Sequence, residues 1–155
     1  NSDKNKSADI TLEFRDAGLP SGTRCAVYDF WENKVVGYAT DSFSGKNIPK
    51  NGSLLLRFTP LIGDSPQLIG SNLHLSIGAT EIEEVYTTSK SIKIKLSSAG
   101  AQKGDLFFHS TKDIEAGVSK NCSISSVQGL GDNLWKVSLK GRIWNANQSI
   151  VLNYR

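Results

Sequence analysis

Methionine is absent from this sequence, and cysteine and histidine occur only twice each. Cys25 and Cys122 lie in opposite halves of the chain and form no CxxC pair, which excludes a zinc ribbon and a thioredoxin-like motif. Two interpretations stay open for them: a pair of buried thiols, or a disulfide that joins the two halves. His74 and His109 each lie within a strand-like run, which favours a structural or surface role for both imidazoles.

Long apolar runs and clustered charges are also missing. No segment approaches the roughly 18 consecutive apolar residues that a membrane span requires, so we expect no membrane association. The chain has 18 Lys and Arg against 15 Asp and Glu, a formal net charge of +3. Because these cations are scattered rather than gathered into a stripe, we also expect no nucleic-acid partner.

The beginning of the sequence resembles an internal segment of a longer protein. It begins at Asn1, and no signal peptide is visible. We therefore expect a fragment or a processed product, with any export signal lying upstream. The compartment stays undetermined, and would be secreted or periplasmic if the parent protein carries a signal peptide.

No segment longer than about ten residues keeps helical periodicity. Short alternating segments occur instead, most clearly at 91–96, where three apolar residues alternate with lysines. The predicted strands are 10–14, 25–31, 34–40, 43–48, 54–58, 67–69, 72–77, 81–86, 91–96, 105–109, 122–127, 134–139 and 150–154. Many short strands at this spacing predict an all-β, antiparallel β-sandwich architecture.

Turn-forming residues at 63–66 mark a boundary between two small β lobes in tandem. The predicted lobes are 1–63 and 64–155. In the first lobe, 16–22 predicts a turn or one short helical turn. The strand at 54–58 is apolar on both faces, which predicts a central rather than an edge position. A hairpin turn is expected at 129–133.

Recognisable catalytic motifs are missing, and the sequence indicates no metal or cofactor site. A glycosidase needs two carboxylates held roughly 5 to 10 Å apart. Glu81 and Glu83 share a strand face, but we expect a solvated acidic face there. Asp29 is the one acid embedded in an apolar run, and we expect it to accept hydrogen bonds at a strand end.

Aromatic side chains offer another route to sugar chemistry, because Trp faces stack on the C–H faces of pyranose rings. Trp31, Trp135 and Trp144 are the candidate carbohydrate-binding residues if they are exposed. The alternative for each is an ordinary core or interface residue.

Three segments in the first lobe carry a resemblance to a known family. They read Arg-Cys-Ala-Val-Tyr-Asp-Phe-Trp at 24–31, Lys-Val-Val-Gly at 34–37 and Gly-Ser-Leu-Leu-Leu-Arg-Phe-Thr-Pro at 52–60. In this order they resemble the C-terminal β-sandwich of glycoside hydrolase family 27-type α-galactosidases. The similarity covers about residues 9–60. From residue 66 onward, the chain also looks like the extra β region that follows this domain in some bacterial α-galactosidase-like proteins.

The resemblance implies a non-catalytic accessory region that packs against and stabilises a (β/α)₈ barrel elsewhere in the parent chain. The family's two catalytic Asp residues lie on that barrel, and no position here corresponds to them. The resemblance also implies that the first lobe lacks its first strand. In this role, Phe30 and Trp31 would form the edge of an apolar docking patch. The alternatives are a carbohydrate-binding module that uses exposed aromatics and a free-standing enzyme. We expect the isolated chain to show no glycosidase activity.

Overall fold

The computed structural model describes residue 1, residues 5–143 and residues 146–155. Thirteen strands and one 3₁₀ turn account for the regular structure of these residues, and they contain no α-helix. All strand pairs are antiparallel, in four sheets, so the predicted all-β class is confirmed. The chain divides into two compact units, Asn1–Leu61 and Ile62–Arg155.

The first unit contains five strands in two antiparallel sheets. One sheet pairs β1 with β4, and the other has the order β3-β2-β5. The strands are β1 (Ala8–Glu13), β2 (Arg24–Asp29), β3 (Lys34–Thr40), β4 (Ser42–Ile48) and β5 (Leu56–Pro60). A single 3₁₀ turn, Phe14–Ala17, follows β1 and ends at Gly18 in the left-handed conformation, where glycine avoids the steric cost of a side chain.

Aromatic rings from both sheets of the first unit meet at Phe58 on β5. The Phe58 ring makes edge-to-face contacts with Phe14 at 5.2 Å and with Phe43 of β4 at 5.8 Å between centroids. Edge-to-face pairs of this kind stabilise packing beyond the area they bury. The two sheets therefore face each other as the layers of a small sandwich.

The prediction of a central strand at 54–58 is wrong. Among the described residues, β5 pairs with β2 alone and lies at an edge, while β2 is the middle strand of its sheet. Pro60 ends β5 in the structure, and proline is tolerated at sheet edges because it has no N–H to donate. Apolar side chains on both faces of this segment therefore do not indicate a central strand here. They lie at the edge of the sheet, where part of their apolar surface stays exposed.

The second unit contains eight strands in two four-stranded sheets. Their orders are β10-β13-β8-β7 and β11-β12-β9-β6. The strands are β6 (Gln67–Ser71), β7 (Ile82–Thr87), β8 (Ser91–Leu96), β9 (Gly104–His109), β10 (Ile114–Lys120), β11 (Ser123–Gly131), β12 (Leu134–Lys140) and β13 (Gln148–Tyr154). A hairpin turn at Asp132 and Asn133, both with positive φ, joins β11 to β12.

Fourteen buried side chains from these strands and the segments between them form one hydrophobic core. The alternation at 91–96 places Ile92, Ile94 and Leu96 in it, each at most 1% exposed. The remaining members are Leu68, Leu73, Leu106, Phe108, Ile114, Cys122, Val137, Leu139, Ile150, Leu152 and Tyr154. The second unit is therefore a sandwich whose inner faces are covered by its own strands.

One prediction for the second unit is wrong, and one of its strands was not predicted. Residues 72–77 form turns rather than a strand, and Ile77 has a left-handed φ of 53°. Their alternating apolar residues resemble a strand, but the His74 and Ser76 side chains bond locally to the backbone and close the chain into turns. The sequence prediction also missed β10, in which the register shift after Ala116 changes which residues are buried, so that Val118 is exposed.

Candidate functional site

The tip of the β2–β3 hairpin is held by a buried carboxylate. Asp29 is 5% exposed, and its Oδ1 accepts hydrogen bonds from the backbone N–H of Trp31 at 2.9 Å and of Glu32 at 3.1 Å. The Tyr28 hydroxyl lies 2.9 Å from Asn33 Oδ1, which accepts its hydrogen bond. The expected role of Asp29 as an acceptor at a strand end is confirmed, and the tip is fixed by side-chain contacts.

This fixed tip presents an aromatic pair to solvent. Trp31 is 57% exposed, and its ring makes an edge-to-face contact with Phe30 at 5.2 Å between centroids. A large aromatic ring held by a short, capped turn loses little conformational freedom when it is buried by a partner. Phe30 and Trp31 therefore form a preorganised apolar contact point.

An apolar groove of about 290 Å³ opens on the first unit. Its walls come from both sheets and include six apolar side chains: Ile10, Leu12, Phe43, Leu54, Leu56 and Phe58. Gly45 of β4 leaves room for the Leu54 side chain, because a Cβ at this position would overlap the end of that side chain and displace it. The groove thus opens between the two layers of the sandwich, beside β5.

The backbone of β5 is open on the side of the groove. Phe30 N–H bonds to Leu55 O, and Leu61 N–H bonds to Arg24 O. Since hydrogen-bonded pairs alternate along an antiparallel ladder, the odd-numbered residues of β5 bond to β2 and the even-numbered ones point away. Within the described residues, the N–H and C=O of Leu56 and Phe58 thus have no strand beside them.

Residues 1–58 match the family model for the alpha galactosidase C-terminal beta sandwich domain. The predicted resemblance is confirmed, and the matched residues contain the hairpin tip, the groove and the first three residues of β5. The match covers less than half of the chain and none of the second unit. Neither curated proteins nor solved structures give a match.

The candidate tryptophans differ in their surroundings. Trp31 lies in the alpha galactosidase C-terminal-like domain and is exposed. Trp135 on β12 is half-buried against the core of the second unit, and its Nε1–H donates to Ser110 O at 3.3 Å. Its edge borders a cleft of about 130 Å³ that also touches Asn133. Trp144 lies outside the described residues.

The expectation of a solvated acidic face at Glu81 and Glu83 is wrong for Glu81, which is 0% exposed. Its carboxylate accepts a hydrogen bond from the Ser76 hydroxyl at 2.6 Å and one from Gly78 N–H at 2.7 Å. Glu83 is exposed and lies 2.8 Å from Lys95 Nζ. Glu81 therefore holds the 74–80 turns in place, because burial without these partners would be costly.

Arg142 is a second buried charge that sequence patterns did not reveal. It is 4% exposed, and its guanidinium donates to the carbonyls of Ser97, Ala99 and Ala101 and to Gln148 Oε1. Burial lowers the pKa of Arg142, and the nearby charge of Glu81 opposes that shift. A lone arginine in a polar segment gives no sequence signal of this role, which depends on carbonyls distant in the chain.

Both cysteines are buried free thiols, so the first of the two open interpretations is confirmed. Burial raises the pKa of the Cys25 thiol and also that of Cys122, where the charge of Arg142 opposes the rise. Among the described residues, no three His, Cys, Asp or Glu side chains are placed to share a metal ion. Nor do those residues contain a helix long and apolar enough to cross a membrane.

Proposed function

We propose that residues 1–61 form the non-catalytic accessory β-sandwich of a glycoside hydrolase related to α-galactosidases. In this role the domain packs against the catalytic (β/α)₈ barrel of the parent chain and stabilises it. The observation that carries the proposal is the family match over residues 1–58. The barrel fold itself requires about 250 residues, more than the whole chain.

The surface of the matched domain supports docking. The fixed hairpin tip exposes Trp31 beside Phe30, and aromatic anchors of this kind dominate the energy of protein interfaces. Asp29 holds the tip in one conformation before any partner arrives. We infer that Phe30 and Trp31 contact the barrel.

The test compares the parent enzyme with a variant of the docking tip. Trp31→Ser should lower the melting temperature of the parent by several degrees, because the anchor loses its buried contact, while the isolated 155-residue chain should melt almost unchanged. Val36→Ser is the matched control, since Val36 is also exposed in the matched domain but lies on β3.

Activity measurements complete this test. The isolated chain should not hydrolyse a nitrophenyl α-galactoside under conditions in which the parent does. Hydrolysis by the isolated chain would refute the non-catalytic role. An equal effect of Trp31→Ser on parent and isolated chain would refute docking through the hairpin tip.

A carbohydrate-binding module is the second candidate function, and the exposure of Trp31 is the observation that favours it. Trp135 would add a contact at its cleft, and Trp144 is the third proposed residue. Calorimetric titration with galactose, melibiose and galactomannan should then give heat that Trp31→Ala abolishes. Absence of heat with all three sugars would rule out this candidate in favour of docking.

We further propose that the two units are separate domains. The second, from residue 62 to residue 155, would be the additional β region of the parent chain. Its own core of fourteen buried residues supports independent folding. Limited proteolysis near 62–65, where all four residues are exposed, should release a stable fragment of the second unit.

A further inference from the structure

We propose that the cleft beside Trp135 in the second unit binds a single neutral sugar ring. The cleft lies where the loop between β9 and β10 meets the β11–β12 hairpin, and its volume is about 130 Å³. This inference deepens the second candidate function and rests on it for the class of ligand, but it assigns the site to Trp135 rather than to Trp31. It does not require docking of the first unit.

The size and the charge of the cleft define its ligand. Pockets that hold drug-sized molecules measure roughly 300–1,000 Å³, so the smaller space here suits one ring rather than a long molecule. Lys112 and Asp113 both line the cleft, and its other described lining residues are uncharged. Because these two charges are opposite, the cleft favours a neutral ligand over a phosphate or another anion.

One wall of the cleft is formed by the indole of Trp135. Trp135 lies opposite Gly129 in the β11–β12 pair, and both residues line the cleft. A Cβ at Gly129 would lie 3.6 Å from two carbons of the six-membered indole ring. A larger side chain at this position would therefore cover these carbons, whereas glycine leaves them open. Apolar ring carbons of this kind pack against the C–H groups of a pyranose ring.

Polar groups surround this apolar wall. Thr111, Asp113 and Asn133 line the cleft and are exposed. Together with Lys112 they bring a hydroxyl, a carboxylate, an amide and an ammonium group to one place. Each sugar hydroxyl both donates and accepts hydrogen bonds, so a sugar requires donors and acceptors side by side. The combination of an apolar wall with mixed polar groups therefore fits a pyranose.

Hydrogen bonds hold the cleft in shape before a ligand arrives. Ser110 is 2% exposed, its N–H donates to Asn133 O at 2.8 Å, and its carbonyl accepts from Trp135 Nε1–H at 3.3 Å. The Ser110 hydroxyl donates to Lys112 O at 2.7 Å. The Lys112 ammonium lies 5.1 Å from the centre of the Tyr154 ring. Binding thus requires little further ordering of the site, which matters most for a ligand with few contacts.

Titration of the 155-residue chain followed by nuclear magnetic resonance tests the proposal. The probes are the methyl glycosides of galactose, glucose and mannose, added well above the dissociation constant on the order of 1 mM that we expect for one ring. The indole N–H signal of Trp135 should shift with at least one of them, while that of Trp31 should stay in place. Adenosine is the control ligand, because its planar base also stacks on aromatic rings, and it should leave both signals unchanged.

Three variants locate the site. Gly129→Val should weaken binding by about tenfold or more, because the valine covers the ring carbons of Trp135; Gly129 has no left-handed φ, so valine fits the strand. Gln128→Val is the matched control, since it adds the same side chain on the other face of β11 and should not change binding. Asn133→Gly removes the amide but suits the φ of 62°, and it should weaken binding by about threefold or more. Melting temperatures establish that each variant is folded.

Three results would overturn the proposal. The first is the absence of a Trp135 shift with all three sugars, whether or not Trp31 responds. The second is a shift of Trp135 with adenosine alone, which would assign the cleft to a nucleoside. The third is sugar binding that both Gly129→Val and Asn133→Gly leave unchanged. A shift confined to Trp31 would support carbohydrate binding by the first unit only, and failure of docking to the barrel would leave every one of these results unchanged.

Discussion

The two units are both built from short antiparallel strands, but only the second covers the inner faces of its sheets with its own strands. The second unit sets two four-stranded sheets face to face around fourteen buried side chains. The first unit has sheets of two and three strands and leaves an apolar groove beside β5. Whether a small sandwich covers its apolar surface thus depends on the number of its strands and on whether its edge strands are paired. Each unpaired edge exposes both backbone and apolar surface.

The two units also differ in their buried charged side chains. The second unit buries Glu81, which fixes the turns just before it in sequence, and Arg142, which bonds to carbonyls more than forty residues away. In the first unit, Asp29 fixes a turn between neighbours in sequence. The interior of the second unit thus contains charges that hold its loops and turns, whereas the first unit leaves apolar side chains of its groove partly exposed.

The largest difference should come from trimming equivalent apolar side chains in the two units. Leu152→Ala in the core of the second unit should lower the free energy of unfolding of that unit by about 3–4 kcal/mol, because Leu152 is 0% exposed. Leu54→Ala in the groove should cost the first unit less than about 1 kcal/mol, since Leu54 is already 37% exposed. Urea unfolding measures both, and equal costs would contradict the contrast.

Removal of the buried carboxylate should have the next largest effect. Glu81→Ala deprives the Ser76 hydroxyl and Gly78 N–H of their acceptor and leaves Arg142 without the nearby negative charge, so the second unit should lose about 2–3 kcal/mol. Glu84→Ala on β7 is the control, because Glu84 is exposed. A control variant that destabilises as much as Glu81→Ala would show that the burial of Glu81 is not the cause.

The hairpin tip of the first unit should respond more weakly. Asp29→Ala removes the acceptor for two backbone N–H groups and should cost about 1–2 kcal/mol. Asp29→Asn keeps an oxygen acceptor and should recover more than half of that loss. Chemical denaturation checks the order of the three proteins, and identical stabilities of the Ala and Asn variants would refute the capping role.

The smallest effect should appear at alkaline pH. Burial raises the pKa of Cys25 and of Cys122, so the folded state holds these protons more tightly than the unfolded state. The corresponding stability is fully present below the ordinary thiol pKa of about 8.5 and is lost as the pH rises from there through the folded-state pKa. Cys25→Ser should flatten this decline for the first unit and Cys122→Ser for the second. Denaturation midpoints at pH 7 and pH 9.5 test the effect.

Local sequence signals predicted much of this structure. The alternation at 91–96 identified a core strand, and the polar link between 31 and 34 identified the hairpin that Asp29 caps. The groove was not predicted, because the Leu-rich run at 54–58 carries no information about whether a strand lies on each side of it. Glu81 was misjudged because it bonds to turns at 76–78 whose residues alternate like those of a strand, and Arg142 was missed because it bonds to carbonyls more than forty residues away. Edges and buried charges are tertiary properties, and strand patterns do not encode them.

The contrast between an open and a closed sandwich is tested most directly by residue-resolved urea unfolding of the 155-residue chain. Backbone amide signals of Val27 in β2 and Ile94 in β8 report on the two units by nuclear magnetic resonance. Our account predicts that the folded-state signal of Val27 disappears at lower urea than that of Ile94. Coincident midpoints, or a first unit that outlasts the second, would contradict it.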